Sequence, residues 1–391
     1  MQNFEDVIKE DCFYVDKTPF IEDIEESNKY FFYIRPRRFG KSLTLSMLEN
    51  YYDINKKEDF ETIFGGLYIG ENPTPEHNTY LVIHLNFAEV DSGLDNYKEG
   101  LDTHCRLVFE DFCTRYAALL PKGTKEELKS EQGAIAQLRF LCQKCTEVKQ
   151  KIYLFIDEYD NFTNMILSSE EHLERYKGQT HGEGYLRRFF NTIKGAANTS
   201  LGRIFVTGVS PVTMDDLTSG FNIGTNYSLA PEFNEMTGFT EEEVREMLSY
   251  YAGVLPFNHT VDELIEIMKP WFDNYCFAIN SYGKTTMYNS IMVLNFVDNY
   301  IRNDYHIPNK MVETNIRIDY SKIRMLIRHD KEFAHDASII QELVTKGYTT
   351  GNLVENFPAD RINDPDNFLS LLFYFGLVTI DGEYKIGRAH V

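Results

Sequence analysis

Hydrophobic positions along this chain follow two rhythms. Short aromatic and β-branched runs, Tyr30 to Ile34, Thr79 to Phe87, Ile152 to Ile156 and Arg203 to Val206, predict buried strands. Between them lie stretches with helical spacing. Lys41 to Tyr52 sets Leu43, Met47, Leu48 and Tyr51 on one side, Leu94 to Gln150 is long but broken near Pro121 and Gly123, and Tyr185 to Ala197 follows. Strands alternating with helices in this way predict the α/β class, a mostly parallel sheet covered on both faces. From Thr240 onward the pattern turns helical: Thr240 and Glu243 form a capping-box signature, and helical segments continue to about Phe296. At the end, Phe368 to Phe375 predicts an apolar helix and V-T-I-D-G-E-Y-K-I a hairpin around Asp381-Gly382, together a small winged-helix-like unit. Near the start, Y-V-D-K-T-P-F predicts a helix with Thr18 as N-cap and Pro19 at its first position.

Composition narrows the classes of function. With 391 residues, 43% of them hydrophobic, the chain supports two or three domains with sizeable cores. Its 60 acidic and 39 basic residues give a net charge of −21, which disfavours nonspecific nucleic-acid binding by the whole surface and leaves room only for a local basic groove. The longest apolar run, Phe368 to Ile380, is well short of the roughly 20 residues that cross a bilayer, so no membrane partner is expected. The opening M-Q-N-F-E-D-V-I-K-E has neither a basic nor an apolar leader region, which favours a cytoplasmic setting with reduced cysteines. Cys142 and Cys145 in C-Q-K-C lack a second pair at zinc spacing and read as ordinary helix residues, and His84 and His104 lack a partner at motif spacing.

The chemistry concentrates at Arg35-Pro36-Arg37-Arg38-Phe39-Gly40-Lys41-Ser42. This matches the phosphate-loop pattern G-x-x-x-x-G-K-[ST] at every defined position except the first, where Arg35 replaces glycine. Gly40 lets the backbone approach a phosphate, Lys41 can reach the β and γ phosphates, Ser42 can ligate magnesium, and the helix expected from Lys41 would point its first amides, Leu43 included, at the anion. Arg37 and Arg38 either add fork-shaped donors to the phosphates or pair with carboxylates of this acidic protein. A second signal is I-Y-L-F-I-D-E, where a buried strand delivers Asp157 and Glu158 at its C-terminal end, the edge at which α/β sheets bind ligands. Asp157 is a candidate to hold Mg²⁺ and Glu158 to polarise the attacking water, although paired acids also simply end strands. A third is R-I-F-V-T-G-V-S, whose hydroxyls are candidate sensors of the γ-phosphate, Thr207 first and Ser210 second, or else caps of the strand end. Arg187 and Arg188 are charge-stabilising fingers or members of an exposed helix face.

Y-V-D-K-T, R-P-R-R-F-G-K-S, T-Y-L-V-I-H-L-N-F, F-I-D-E-Y-D, V-T-G-V-S-P, T-G-F-T-E-E-E-V, W-F-D-N-Y-C-F and M-Y-N-S together resemble the AAA-ATPase-like family of prokaryotic proteins. R-P-R-R-F-G-K-S is a specific marker of that family, its leading arginine included. M-Y-N-S departs from it, since the family more often has proline after the asparagine. The resemblance implies a P-loop ATPase domain over 1–238, a helical lid over 239–300 and a helical, winged-helix-like region over 301–386. It also implies a C-terminal nuclease domain of the PD-(D/E)XK type, which would begin where this chain stops and through which nucleic acid would be a partner. The closing I-G-R-A-H-V resembles a translated sequencing adapter, so 387–391 are expected to lie outside the fold. The reading is an ATPase using ATP and Mg²⁺, with a homo-oligomer compatible with it. The alternative is a nucleotide-dependent switch with negligible turnover.

Overall fold

A computed structural model describes residues 3–90, 97–161, 184–212, 224–311, 334–358, 361–362, 364–382 and 385–388. Its centre is a parallel five-stranded sheet of β1 (Tyr30–Ile34), β2 (Tyr80–Asn86), β3 (Lys151–Asp157), β4 (Leu201–Gly208) and β5 (Thr225–Asn226), in the order β2-β3-β4-β1-β5. Strand β4 therefore lies between β1, which feeds the phosphate loop, and β3, which carries the acid pair.

Alternate side chains divide the two faces, as the twofold strand repeat requires. Phe31, Tyr33, Tyr153, Phe155 and Phe205 point to one face, with Tyr153 and Phe155 stacked at 4.3 Å and Phe31 and Phe205 at 5.0 Å. That face is covered by α1 (Phe4–Lys9), α2 (Phe20–Glu26), α3 (Lys41–Tyr52), α4 (Phe60–Phe64) and α5 (Tyr68–Glu71), whose Phe4, Ile21, Leu48, Phe64 and Ile69 share its core. Phe32, Ile34, Leu154, Ile156, Ile204 and Val206 point the other way, under α6 (Tyr97–Arg115), α7 (Thr124–Leu128), α8 (Ala134–Glu147) and α9 (Tyr185–Ala196). The expected helical stretch after β2 breaks both at Pro121-Gly123 and again at Gly133, which adopts φ 83°. Cys142 and Cys145 are buried helix residues, and burial raises both thiols, Cys142 to about 11. Among the described residues no cluster of histidine, cysteine and carboxylate groups is arranged to hold a metal by itself.

A third core joins α10 (Glu241–Val254), α11 (Val261–Phe272) and α12 (Ser290–Arg302) through Val244, Met247, Leu264, Met268, Val293 and Phe296. The predicted Thr240/Glu243 capping box opens α10, and Thr260/Glu263 repeat it at α11. The last unit consists of α13 (Ala334–Lys346), α14 (Pro365–Tyr374) and a small antiparallel sheet in the order β6-β8-β7, from β6 (Tyr348–Thr350), β7 (Val378–Ile380) and β8 (Lys385–Arg388). Its core is continuous with that of the main sheet through Phe277 and Phe373.

Two expectations need correction here. Gly387 and Arg388 are not outside the fold: β8 is the central strand of the small sheet, with Gly387 opposite both Tyr348 and Thr379. Residues 389–391 of the same expectation lie outside the described residues. At the N-terminus, Pro19 takes the cap position of α2 rather than its first helical position. Thr18 instead donates its hydroxyl to Asp16 and accepts from the Ile69 amide, tying the start of α2 to α5. No helix among the described residues is long and apolar enough to cross a membrane.

Candidate phosphate-binding and acid-pair site

The loop after β1 reverses direction through two left-handed residues, Arg38 at φ 71° and Gly40 at φ 91°. Gly40 accommodates that conformation without cost, whereas Arg38 is held in it by its surroundings. Helix α3 then starts with no side-chain cap, which leaves its first-turn amides and the positive end of its dipole available to an anion. Arg37, Arg38, Gly40, Lys41, Ser42 and Leu43 line a cavity of 490 Å³, within the usual size of ligand pockets. Its opposite wall is largely apolar and comes from Phe13 and Val15 of the N-terminal strap, Met247 and Tyr251 of α10, and Ile291 and Leu294 of α12. One end therefore suits a phosphate chain and the other a flat, weakly polar ring system.

Lys41 is buried, and its Nζ donates to the carbonyls of Arg35 at 3.0 Å and Pro36 at 3.1 Å. An ammonium has three donors, so one remains for a ligand. Burial lowers the Lys41 value, against the pull of Glu158, Asp157 and Asp160.

Across β4, Ser42 Oγ donates to Asp157 Oδ2 at 3.0 Å, and the Glu158 amide donates to Asp157 Oδ1 at 2.8 Å. Asp157 is 2% exposed. Burial and then the neighbouring Glu158 raise its carboxyl, while Lys41, His84 and Ser42 lower it. Glu158 itself adopts φ 49°, which turns the chain at the strand end, and it lines the cavity beside Lys41. A hydroxyl and a carboxylate in contact are hard oxygen donors suited to Mg²⁺, which characteristically takes one or two protein oxygens and completes its shell with water and substrate phosphate. The donor set therefore fits that ion.

Other predicted members of the site are placed elsewhere. Arg35 is 1% exposed and points away from the cavity. Its guanidinium donates to the carbonyls of Ile34 at 3.0 Å, Ser228 at 2.5 Å and Phe233 at 2.8 Å, between the rings of Tyr33 and Phe277 at 4.2 Å each. It brackets the core rather than a phosphate, and so it replaces the usual glycine for a packing reason. Pro36 packs on the other unit, where a side chain at Gly376 would lie 2.9 Å from its Cβ. The Phe39 ring anchors the loop between Tyr275 and Phe277, at 4.8 and 5.2 Å. The sensor role expected of Thr207 is not what its position supports. It is buried, does not line the cavity, and donates its hydroxyl to the Tyr33 carbonyl at 2.7 Å, where β4 meets β1. Ser210 is likewise turned inward, its hydroxyl accepting from the Val212 amide. Arg187 and Arg188 sit on α9, where Arg188 is exposed and lies over the Tyr185 ring.

Sequence reasoning gave no role to Asp160, which is 1% exposed. Its carboxylate accepts from the amides of Val209 at 3.1 Å and Ser210 at 2.6 Å, and Tyr159 donates its hydroxyl to the Ser210 carbonyl at 2.6 Å. These bonds lock the turn after the acid pair onto the end of β4. A methyl at Gly208 would overlap Asp160 and the Tyr159 ring, which explains the glycine in T-G-V-S. The signal was the third acid in F-I-D-E-Y-D. Lys17 was also missed: it lines the cavity and joins Glu243 of α10 at 2.5 Å and the Glu235 carbonyl at 2.9 Å.

Beside the acid pair, His84 Nδ1 of β2 meets Glu49 of α3 at 2.5 Å. Burial alone would lower the His84 value; the hydrogen bond and charge of Glu49, with Asp157 and Glu89, outweigh it and raise the value above 6.5. The folded protein thus holds this proton more tightly than the unfolded chain. The pair's contribution to stability is complete below pH 6.5 and is lost as the pH rises through the raised value. Urea unfolding below and well above that range is expected to show a fall in stability of about 1 kcal/mol that Glu49→Gln abolishes.

The family model described as a predicted AAA-ATPase matches residues 1–218. A protein described as the uncharacterized protein in the vnfD 5' region of Azotobacter chroococcum mcd 1 is 26% identical over 266 residues, which cover 68% of this chain and 45% of that protein. The chain thus spans less than half the length of that relative. Among solved structures, similarity extends to Cdc6p from Pyrobaculum aerophilum, with a TM-score of 0.38, 12% identity and 92% of this chain and 84% of that one covered. It extends also to the ORC2 protein of Aeropyrum pernix in its ADPNP-ADP complexes, with a TM-score of 0.37, 9% identity and coverage of 96% and 88%. With a family model matching more than half of its length, and with the phosphate loop of that family set on a parallel P-loop sheet, the chain belongs to the AAA-ATPase-like family.

Proposed function

We propose that this protein binds and hydrolyses ATP with Mg²⁺. The observation that carries the reading is the contact between Ser42 Oγ and Asp157 Oδ2 at 3.0 Å, which brings the start of α3 and the end of β3 to one point beside Glu158. In this reading Lys41, Arg37, Arg38 and the first amides of α3 bind the phosphate chain, and Phe13, Val15 and Tyr251 receive the base. Ser42 and Asp157 would hold Mg²⁺. The ion, when bound, neutralises charge on the phosphate oxygens. Glu158 orients the attacking water and accepts its proton, and the residues of α10 and α12 that wall the cavity exclude bulk solvent.

A second reading, a nucleotide-dependent switch with negligible turnover, draws on one observation. Both candidate sensor hydroxyls, Thr207 and Ser210, are committed to backbone groups. Phosphate release from Mg·ATP by the wild type and by Glu158→Gln, together with the melting shift that nucleotide causes, separates the two: a large shift without release favours the switch. The work coupled to the nucleotide is proposed to act on a partner or a nucleic-acid-processing effector, such as the nuclease domain implied by the family resemblance. The setting is proposed to be cytoplasmic, and assembly into a homo-oligomer is compatible with it.

A further inference from the structure

Three sequence markers, Y-V-D-K-T, T-G-F-T-E-E-E-V and M-Y-N-S, supply no group to the phosphoryl chemistry, yet all converge on the phosphate loop or the wall facing it. M-Y-N-S ends in the first turn of α12. Asn289 caps that helix by accepting from the Met292 amide at 3.2 Å, and its Nδ2 donates to the Arg37 carbonyl at 3.4 Å. Ser290 Oγ donates to the Arg38 carbonyl at 3.2 Å, and the Ile291 amide donates to the same oxygen at 3.3 Å. The next carbonyl, Phe39, accepts from Gly238 at 2.9 Å, and Gly238 leads into α10. With Lys41 holding the carbonyls of Arg35 and Pro36, all carbonyls from Arg35 to Phe39 are engaged.

That arrangement has a geometric consequence. A planar trans peptide carries its C=O and N–H on opposite sides. Fixing the carbonyls of residues 37 to 39 toward α12 and Gly238 turns the amides of Arg38, Phe39 and Gly40 the other way, as an anion cradle requires. The first-turn amide of α12 serves a loop carbonyl rather than a ligand. Helix α12 shares a buried core with α10 and α11, to which Val244 and Met292 both belong, and α10 is pinned to the N-terminal strap by Lys17 and Glu243.

We propose that the first turn of α12 is a positioning clamp: Asn289 and Ser290 hold the phosphate loop in its anion-accepting form, and phosphate binding in turn tightens α12 on the loop. Nucleotide occupancy then reaches α10 and α12 through the loop's own carbonyls. Coupling of this kind is reciprocal, so a weaker clamp lowers phosphate affinity by the factor by which phosphate strengthens the clamp. The inference rests on the nucleotide reading of the cavity.

The test uses the whole chain with Ser290→Ala and Ser290→Pro. Both remove the hydroxyl donor, and proline is well tolerated at a first helical position, so agreement between them assigns the effect to the hydroxyl and not to the helix start. Two quantities are read: the affinity for Mg·ADP, and amide hydrogen exchange at residues 37–40 and 291–294. Each variant is expected to bind Mg·ADP about fivefold more weakly, the scale of one hydrogen bond. Each should also exchange faster at 37–40 without nucleotide. In the wild type Mg·ADP should slow exchange at 291–294, and the variants should lose that protection, which a merely structural role of Ser290 would leave in place. Unchanged affinity with unchanged loop exchange in both variants overturns the clamp. If the wild type binds no Mg·ADP, the nucleotide reading fails separately, and loop exchange alone decides: faster exchange in the variants upholds the clamp and equal exchange overturns it.

Discussion

Replacing Glu158 by Gln is expected to lower phosphate release from Mg·ATP by at least about 100-fold, the usual effect of removing a general base. Nucleotide binding should survive, because the amide keeps the shape of the side chain. Asp157 should also ionise more readily, since Glu158 is one of the groups that raise its carboxyl. The signature is thus a large loss in turnover with an intact nucleotide-induced melting shift. Equal and substantial release by both proteins would remove Glu158 from the chemistry. Absence of release by the wild type, with the shift intact, would favour the switch.

Arg35→Ala is expected to have the largest effect on stability, a loss of about 4 kcal/mol, although the residue lies within the phosphate-loop motif. Truncation removes a charged donor from the carbonyls of Ile34, Ser228 and Phe233 and leaves a void between Tyr33 and Phe277. Arg35→Lys should recover little, because an ammonium cannot fill a flat slot between two rings and reach three acceptors. Urea unfolding checks this: the midpoint should fall sharply at unchanged slope. A stable Arg35→Ala protein with weakened nucleotide binding would instead return Arg35 to the phosphates.

The parts of the fold set by local chemistry were legible in the sequence. Strand β1, the loop and α3 follow from an apolar run, a glycine and a helical repeat within about twenty residues, and the Thr240/Glu243 cap from a four-residue signature. What was hidden depends on distant partners. Three arginines in one loop look alike in sequence, and only the placement of Ser228, Phe233 and Phe277 shows that Arg35 faces the core. Thr207 at the end of β4 is a plausible sensor until β4 is inserted beside β1, where Tyr33 takes its hydroxyl. Asp160 received no role because the amides it accepts from lie about fifty residues further along. The hairpin of β7 and β8 was legible from its Asp381-Gly382 turn, but the end of β8, Gly387 and Arg388, was set aside because it looks extraneous, whereas its partner β6 begins at Tyr348, well before it in the chain.

The central claim is that Ser42 and Asp157 together serve one metal-bound triphosphate. The direct measurement is calorimetric titration of ATP with and without Mg²⁺ for the wild type, Ser42→Ala and Asp157→Asn. Mg²⁺ should strengthen wild-type binding by at least about tenfold, or 1.4 kcal/mol. Both variants should lose most of that gain while binding metal-free ATP as the wild type does. A magnesium gain of the same size in all three proteins would contradict the account.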